Sequence, residues 1–314
     1  MIILKSRCLE AHVLPYGASL SGLWFQKRSG SLVLGSQDAN AYKTALTYSG
    51  AIVGPVANRI GGGVVQIDGK PWHMDANEGQ TSLHSGPHGL HARLWEVIDR
   101  SDSYAVLKCD LPAGACGLPG QRRFEARYSV NDEGELHLNL TATTDSNTLV
   151  NLAHHPYWRL GSGLTVADHK LEVMADHYLP VDANTLPTGE VAHVQGTAYD
   201  FRTPRFIPVD QTLDANFCLA HSQRSDPQTA AKLTAPDGLT LQIDTTESGL
   251  QIYNATGLTP APIRLHKGQV LTSGAGIALE PQSWPDAPNQ SEFPPIVLRA
   301  GDIYRQRTVY RISK

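Results

Sequence analysis

"ELHLNLTATT", residues 135–144, sets Leu136, Leu138 and Leu140 at every second position, with His137 and Asn139 between them. That period of two puts the leucines on one face of an extended segment and the polar residues on the other, as in a half-buried strand. The runs "YAVLKCDL", "RFEARYSV" and "LTLQIDTTESGLQIYNAT" read similarly, with Val, Ile, Thr and Tyr suited to a pleated surface. Turn chemistry separates them. Asp68-Gly69, Asp237-Gly238, "GLPG" at 117–120 and "NDEGE" at 131–135 supply the left-handed or pre-bent positions that turns need. No long stretch has helical periodicity, and 28 glycines with 20 prolines would interrupt most helices. Many strands with close turns predict an all-β chain, folded as a large antiparallel sandwich.

No linker, low-complexity tract or charge run divides the 314 residues, so residues 1–314 are expected to form one domain. A chain of this length buries about three quarters of its unfolded surface and needs no staples. The formal charge of -4, from 26 basic and 30 acidic residues, argues against nucleic acid as a partner. Cys8, Cys109, Cys116 and Cys218 are scattered and form no C-x-x-C pair, which fits reduced thiols in a cytoplasmic protein. The start "MIILKSRCLE" is too poor in apolar residues for a signal-peptide core, and no run of about 18 apolar residues predicts a membrane span. The expected assembly is a monomer or a homodimer.

Three segments carry candidate chemistry. "NLAHHPYWRL", residues 151–160, places His154 beside His155; in a strand the two would face opposite ways and could not easily grip one ion. His84, His88 and His91 have helical spacing, but Gly86, Pro87 and Gly89 make a helix there improbable, so a metal site would need converging loops. Asn58-Arg59 in "GPVANRI" lies among apolar residues, and Glu280 ends the apolar run of "GIALEPQSW", where ionisation needs partners. A structural ion pair between Arg59 and Glu280 would account for both without any reaction.

Taken in order, these segments resemble the aldose 1-epimerase, or galactose mutarotase, family across nearly the whole chain. "GASLSGLWF", "GPVANRI", "LHSGPHGLHARLWEV" and "NLAHHPYWRL" are followed by "VDANTLPTGE", "YDFRTP", "LDANF", "GLQIYNAT" and "IALEPQSWPDAPNQSEFPPIVLRAGDIYRQRTVYRI". The resemblance implies a sandwich of the galactose mutarotase type that uses no cofactor and no metal. It implies that the substrate is a free monosaccharide whose α and β anomers are interconverted at C1. Carried over by matching positions, it makes Glu280 the base and His155 the acid. Arg59, His84 and Asp214 would bind the sugar, with Asn58 beside Arg59, and Tyr253 and Trp158 as candidate stacking surfaces. Trp284 is a further stacking candidate, whereas core packing suits Trp95.

The chemistry asks for those residue types. Ring opening removes a proton from the anomeric hydroxyl and adds one to the ring oxygen, so an acid and a base are expected on opposite sides of the anomeric centre, exchanging roles on closure. Glutamate is ionised near neutrality and suits the base, histidine titrates there and can carry the opposing proton, and a nearby arginine would keep a carboxylate ionised. Departures from the family pattern include His154, Pro156, Trp158-Arg159, Ser85, Ala215 and Asn254-Ala255. The added positive charge of His154 and Arg159 raises the alternative of a phosphorylated or otherwise anionic sugar. A sugar-binding protein without turnover, a glycoside hydrolase using Asp214 and Glu280, and a metal-dependent isomerase are the other readings to separate.

Overall fold

The computed structural model of the chain describes every residue except Lys27 and Ser162. Its largest element is a nine-stranded antiparallel sheet, here the large sheet. In spatial order its strands are Arg205–Phe206, Lys170–Val173, Gln228–Thr234, Thr240–Thr245, Ile303–Ser313, Glu135–Thr144, Arg122–Val130, Tyr104–Leu111 and Glu96–Arg100. The opening stretch is one of these strands, with Leu136, Leu138 and Leu140 fully buried and the residues between them half-buried. Glu135–Thr144 runs against Arg122–Val130 with Leu138 opposite Tyr128, and against Ile303–Ser313 with Leu136 opposite Tyr310. The anticipated hairpins form where the turn residues stand. Asp68 and Gly69 both take positive φ, +51° and +73°, between strands Val64–Ile67 and Lys70–His73.

A six-stranded antiparallel sheet, here the site sheet, packs on the large one. Its strands in spatial order are Tyr157–Trp158, Ile277–Gln282, Gly249–Tyr253, Asp214–Cys218, His177–Leu179 and Ala192–His193. Successive residues of a strand face opposite sides, so the register sorts every side chain. Trp158, Ile277, Leu279, Leu250, Ile252, Ala215 and Phe217 turn inward, and they share one apolar core with Phe124, Tyr128, Leu138, Leu241, Ile243 and Tyr310 of the large sheet. A three-stranded sheet, Ile2–Lys5, Leu9–Leu14 and Ser19–Phe25, extends that core. Each large aliphatic side chain buried there contributes about 1.5–3 kcal/mol by leaving water. The sandwich expected from the alternating runs is therefore observed.

Among the described residues no helix is long and apolar enough to cross a membrane. Helical structure is limited to short 3-10 turns such as Leu90–Ala92, which follows the Gly86-Pro87 break in the histidine segment.

Candidate active site

The outward face of the site sheet follows from the same parity. One cross-strand row is Tyr157, Ala278, Tyr253 and Asp214; the next is Glu280, Gln251, Asn216 and Leu179. Carboxylates on two different strands, Asp214 and Glu280, are thus brought to one surface from positions 66 residues apart in the numbering. Gln251 sits between them and donates its side-chain N–H to Asp214 Oδ1 at 2.5 Å.

His155 reaches this face from the adjoining segment. Its backbone N–H donates to Ala51 O at 3.0 Å and its carbonyl accepts from Gly50 N–H at 2.8 Å. Asn151, four residues earlier, holds the segment against the Glu280 strand: its Oδ1 accepts the Ser283 N–H at 2.8 Å and its Nδ2 donates to Ser283 O at 3.3 Å. The result is a His155 Nε2 to Glu280 Oε1 separation of 3.5 Å, with both side chains almost wholly buried. Glu280 Oε2 is buried and has no protein hydrogen-bond partner among the described residues.

His154 takes the opposite direction, as adjacent residues of an extended segment must. Its ring lies in the core near Tyr128 and Tyr310, with Nδ1 2.9 Å from the Tyr310 hydroxyl. Burial holds its imidazole down at about 3, so it carries no charge toward a ligand. Arg159 is also buried, bonded to the carbonyls of Gly163 and Gly268, and lines a separate cavity of about 380 Å³ with Arg28 and Lys267. The motive for an anionic sugar therefore falls away, because neither side chain is on the site face.

His84 is set by an unusual turn. His84, Ser85 and Gly86 have successive positive φ values of +52°, +65° and +76°. At Gly86 a Cβ would meet Asp75 O at 2.7 Å, so only glycine fits there. Two consecutive non-glycine residues in the left-handed region are uncommon and held there by their surroundings. The backbone is fixed by Asn58, which takes the His84 N–H on its carbonyl at 2.9 Å and donates its own N–H to His84 Nδ1 at 3.1 Å. Asn58 itself is left-handed, and its Oδ1 accepts the Arg59 N–H at 2.9 Å.

That bond fixes the tautomer. An N–H pointing at Nδ1 requires a lone pair there, so in the neutral ring the proton is on Nε2. His84 stays neutral because burial, with His155, His91 and Arg59 nearby, pushes its imidazole well down. His84, His155 and Glu280 bring three ligand-type atoms within 4.8 Å of one another, which invites a metal. A metal-bound imidazole normally donates its second N–H to an acceptor. Here the second nitrogen faces a donor, so the His84 chemistry fits a hydrogen-bond donor to a ligand oxygen and opposes a metal.

Charges are arranged with separate partners. Arg59 grips Glu78 through Nε at 2.5 Å and Nη2 at 3.0 Å, and lies 3.5 Å from Asp214 Oδ2. It does not bond Glu280, so the simple Arg59–Glu280 ion pair is not what the fold builds. Burial lifts the Glu280 carboxyl well above the usual carboxylate range; the Asp214 charge adds to this and Arg59 opposes it. Burial pushes His155 the other way, to about 4. The expectation that Arg59 would hold Glu280 ionised is thereby corrected: the carboxylates it serves are Glu78 and Asp214. Burial thus disfavours the charged form of each group, raising the carboxyl and lowering the imidazole.

Trp158 is not part of this surface. It occupies the inward position beside Tyr157 and packs on Tyr310, 5.0 Å between ring centroids. Trp284 too is core, its indole N–H donated to Ser248 O at 3.0 Å, and Trp95 is core as expected. Sequence reasoning missed Tyr157, whose ring lies 5.0 Å from His155, and Tyr48, whose ring lies 4.8 Å from His84 and from His91. It also missed Gln251. Strand parity, counted from Glu280 and Asp214, was the signal that could have found Gln251 and Tyr157. Arg59, Asp214, Asn58, Gln251, Leu179 and Val181 line one common cleft.

The chain is similar to known proteins along nearly its whole length. The family model described as aldose 1-epimerase matches residues 1–311. Galactose mutarotase of Homo sapiens is 35% identical, with 99% of this chain and 93% of that protein covered. Aldose 1-epimerase of Escherichia coli (strain K12) is 29% identical over 95% of this chain and 90% of its own length. Among solved structures, an aldose epimerase homologue from C. elegans superposes with a TM-score of 0.91 at 32% identity, covering 99% of this chain and 98% of the other. Galactose 1-epimerase from Lactobacillus acidophilus superposes with a TM-score of 0.85 at 25% identity, covering 98% of this chain and 92% of that one.

Proposed function

We propose how this chain, which belongs to the aldose 1-epimerase family and interconverts the α and β anomers of a free aldose, divides the reaction among its side chains. Glu280 and His155 are its acid–base pair. At 3.5 Å the two groups are direct neighbours and do not bracket a sugar from opposite sides as expected; because the anomeric hydroxyl oxygen and the ring oxygen share one carbon, adjacent groups can serve both. The observation that carries the assignment is the 3.5 Å approach of His155 Nε2 to Glu280 Oε1, both side chains almost wholly buried.

In the reacting form Glu280 is a carboxylate and His155 an imidazolium. The carboxylate takes the proton of the C1 hydroxyl while the imidazolium delivers one to the ring oxygen, and the C1–ring-oxygen bond breaks to leave an aldehyde. The pair is now a carboxylic acid and a neutral imidazole, the state that burial favours for both groups. Rotation about C1–C2 turns the other carbonyl face to the C5 hydroxyl. Glu280 then returns its proton to the carbonyl oxygen while His155 removes the hydroxyl proton, closing the ring as the other anomer. No electron changes hands, and the proton count of the pair is restored.

His84, neutral with Nε2–H facing the cleft, donates a hydrogen bond to a sugar oxygen. Arg59 and Asp214, with Gln251 bracing Asp214, orient hydroxyls on the far side, and Asn58 sets the direction of Arg59. Tyr253 and Tyr157 wall the cleft; the Tyr157 hydroxyl stays protonated because burial, with Tyr253 and the two carboxyls, pushes it well up.

Optical rotation of freshly dissolved α-galactose and α-glucose tests this directly. Protein is expected to accelerate the approach to equilibrium, and Glu280→Gln or His155→Asn to remove the acceleration while the fold persists. Unchanged rates in either folded variant would take the role from that residue.

A further inference from the structure

The third cross-strand row of the site face has no part in the reaction. It runs Gln282, Gly249, Cys218, His177, His193: Gly249 is opposite both Gln282 and Cys218, Cys218 is opposite His177, and His177 is opposite His193. Residues directly opposite in antiparallel strands share a face, so three adjacent strands present a thiol and two imidazoles side by side. The two imidazoles lie against each other with ring centroids 4.1 Å apart and planes tilted by 39°. His193 is exposed, His177 and Cys218 are half-buried, and the thiol is free.

We propose that His177 and His193, with Cys218 as the third ligand, form a site for a borderline divalent transition metal such as Zn²⁺ or Co²⁺. Imidazole and thiolate are the ligands those ions prefer, and three protein ligands with an open fourth position is a common zinc arrangement. Among the described residues only His84, His155 and Glu280 bring three ligand-type atoms within 4.8 Å as they stand. In the outer row the ion therefore engages the two imidazoles first and draws the thiol in by side-chain rotation. Burial lifts that thiol to about 12, so ligation displaces a proton that the free protein retains. The location gives the ion a task. His177 and His193 close the base of the hairpin whose connecting residues Val181, Thr185 and Pro187 wall the sugar cleft with Arg59 and Asp214. A metal across that base staples the wall to the strand that carries Asp214.

The test uses untagged, metal-free protein titrated with Zn²⁺ by calorimetry and with Co²⁺ by visible absorption. Wild type and His155→Asn are expected to take up one equivalent alike, and His177→Ala and His193→Ala to lose that step. The same two alanine variants are expected to keep wild-type mutarotation without metal. Zn²⁺ raises the melting temperature only where it binds, because it stabilises the state that holds it. The cobalt complex of the wild type is expected to show a thiolate charge-transfer band that Cys218→Ser removes. Absence of zinc uptake by wild type overturns the site, as do alanine variants that titrate like wild type. Loss of the step in His155→Asn would move the ion to the sugar cleft and equally overturn it. A cobalt spectrum without the sulfur band removes Cys218 from the ligand set.

Discussion

The large sheet and the site sheet are built from the same strand geometry but solve different problems. In the large sheet, strands of up to 11 residues alternate cleanly, and their inward positions are almost all apolar. In the site sheet strands are at most six residues long, and the outward face carries Asp214, Gln251 and Glu280, largely removed from water. Burying such groups costs free energy unless partners compensate. The contrast shows that one sheet holds the fold in shape so that the other can hold a carboxyl and an imidazole in unfavourable surroundings.

The sharpest way to break this division is at the acid–base pair. Glu280→Gln and His155→Asn are each expected to slow mutarotation by about 10²- to 10⁴-fold, with melting temperature unchanged or raised. In the wild type, kcat/KM against pH is expected to be bell-shaped. Its acid limb reflects His155 being held down toward about 4, below which no base remains. Its alkaline limb reflects Glu280 being pushed up, above which no proton remains to donate. Polarimetry across pH checks both limbs.

The converse change belongs to the large sheet. Leu138→Ala is expected to cost about 2–5 kcal/mol of unfolding free energy by leaving a cavity between Tyr128 and its neighbours. Urea unfolding measures it, and turnover per folded molecule is expected to hold.

A third test uses a buried carboxyl that serves no reaction. Glu247 accepts the Gln223 amide at 2.7 Å and lies 3.4 Å from the Tyr304 hydroxyl, and burial lifts it from 4.5 to about 7. A carboxyl raised on folding stabilises most below its unfolded value, and that contribution is lost as pH climbs through 7, roughly 3 kcal/mol in all. Glu247→Gln, neutral throughout, is expected to gain on the wild type by up to that amount as pH rises. Unfolding curves at acid and mildly alkaline pH decide it. The smallest effect on turnover is expected from Trp158→Phe: no change in KM, since the ring faces the core, with a stability loss of about 1–3 kcal/mol from the cavity left behind.

What the sequence made legible follows this same contrast. The period of two in Glu135–Thr144 and its neighbours needed only the pattern, because long regular strands write their burial into alternate positions. Glu280, His155, Arg59, His84 and Asp214 were reached through ordered motifs; the fold brings ligand-type atoms of His84, His155 and Glu280 within 4.8 Å of one another and sets Arg59 3.5 Å from Asp214. Trp158 was misjudged because an indole is a plausible sugar surface, while parity beside a two-residue strand cannot be read from composition. Gln251 looked like an ordinary strand residue until its register placed it between two acids. The tautomer of His84 depended on a backbone N–H 26 residues away, which no local pattern encodes.

The amide of Asn151, fastened to both backbone groups of Ser283, has a wider consequence. It welds the two halves of the proton relay into one rigid piece, independent of the loops that shape the rim. Rim loops can therefore be redesigned for different aldoses without touching the fastening that spaces the two groups.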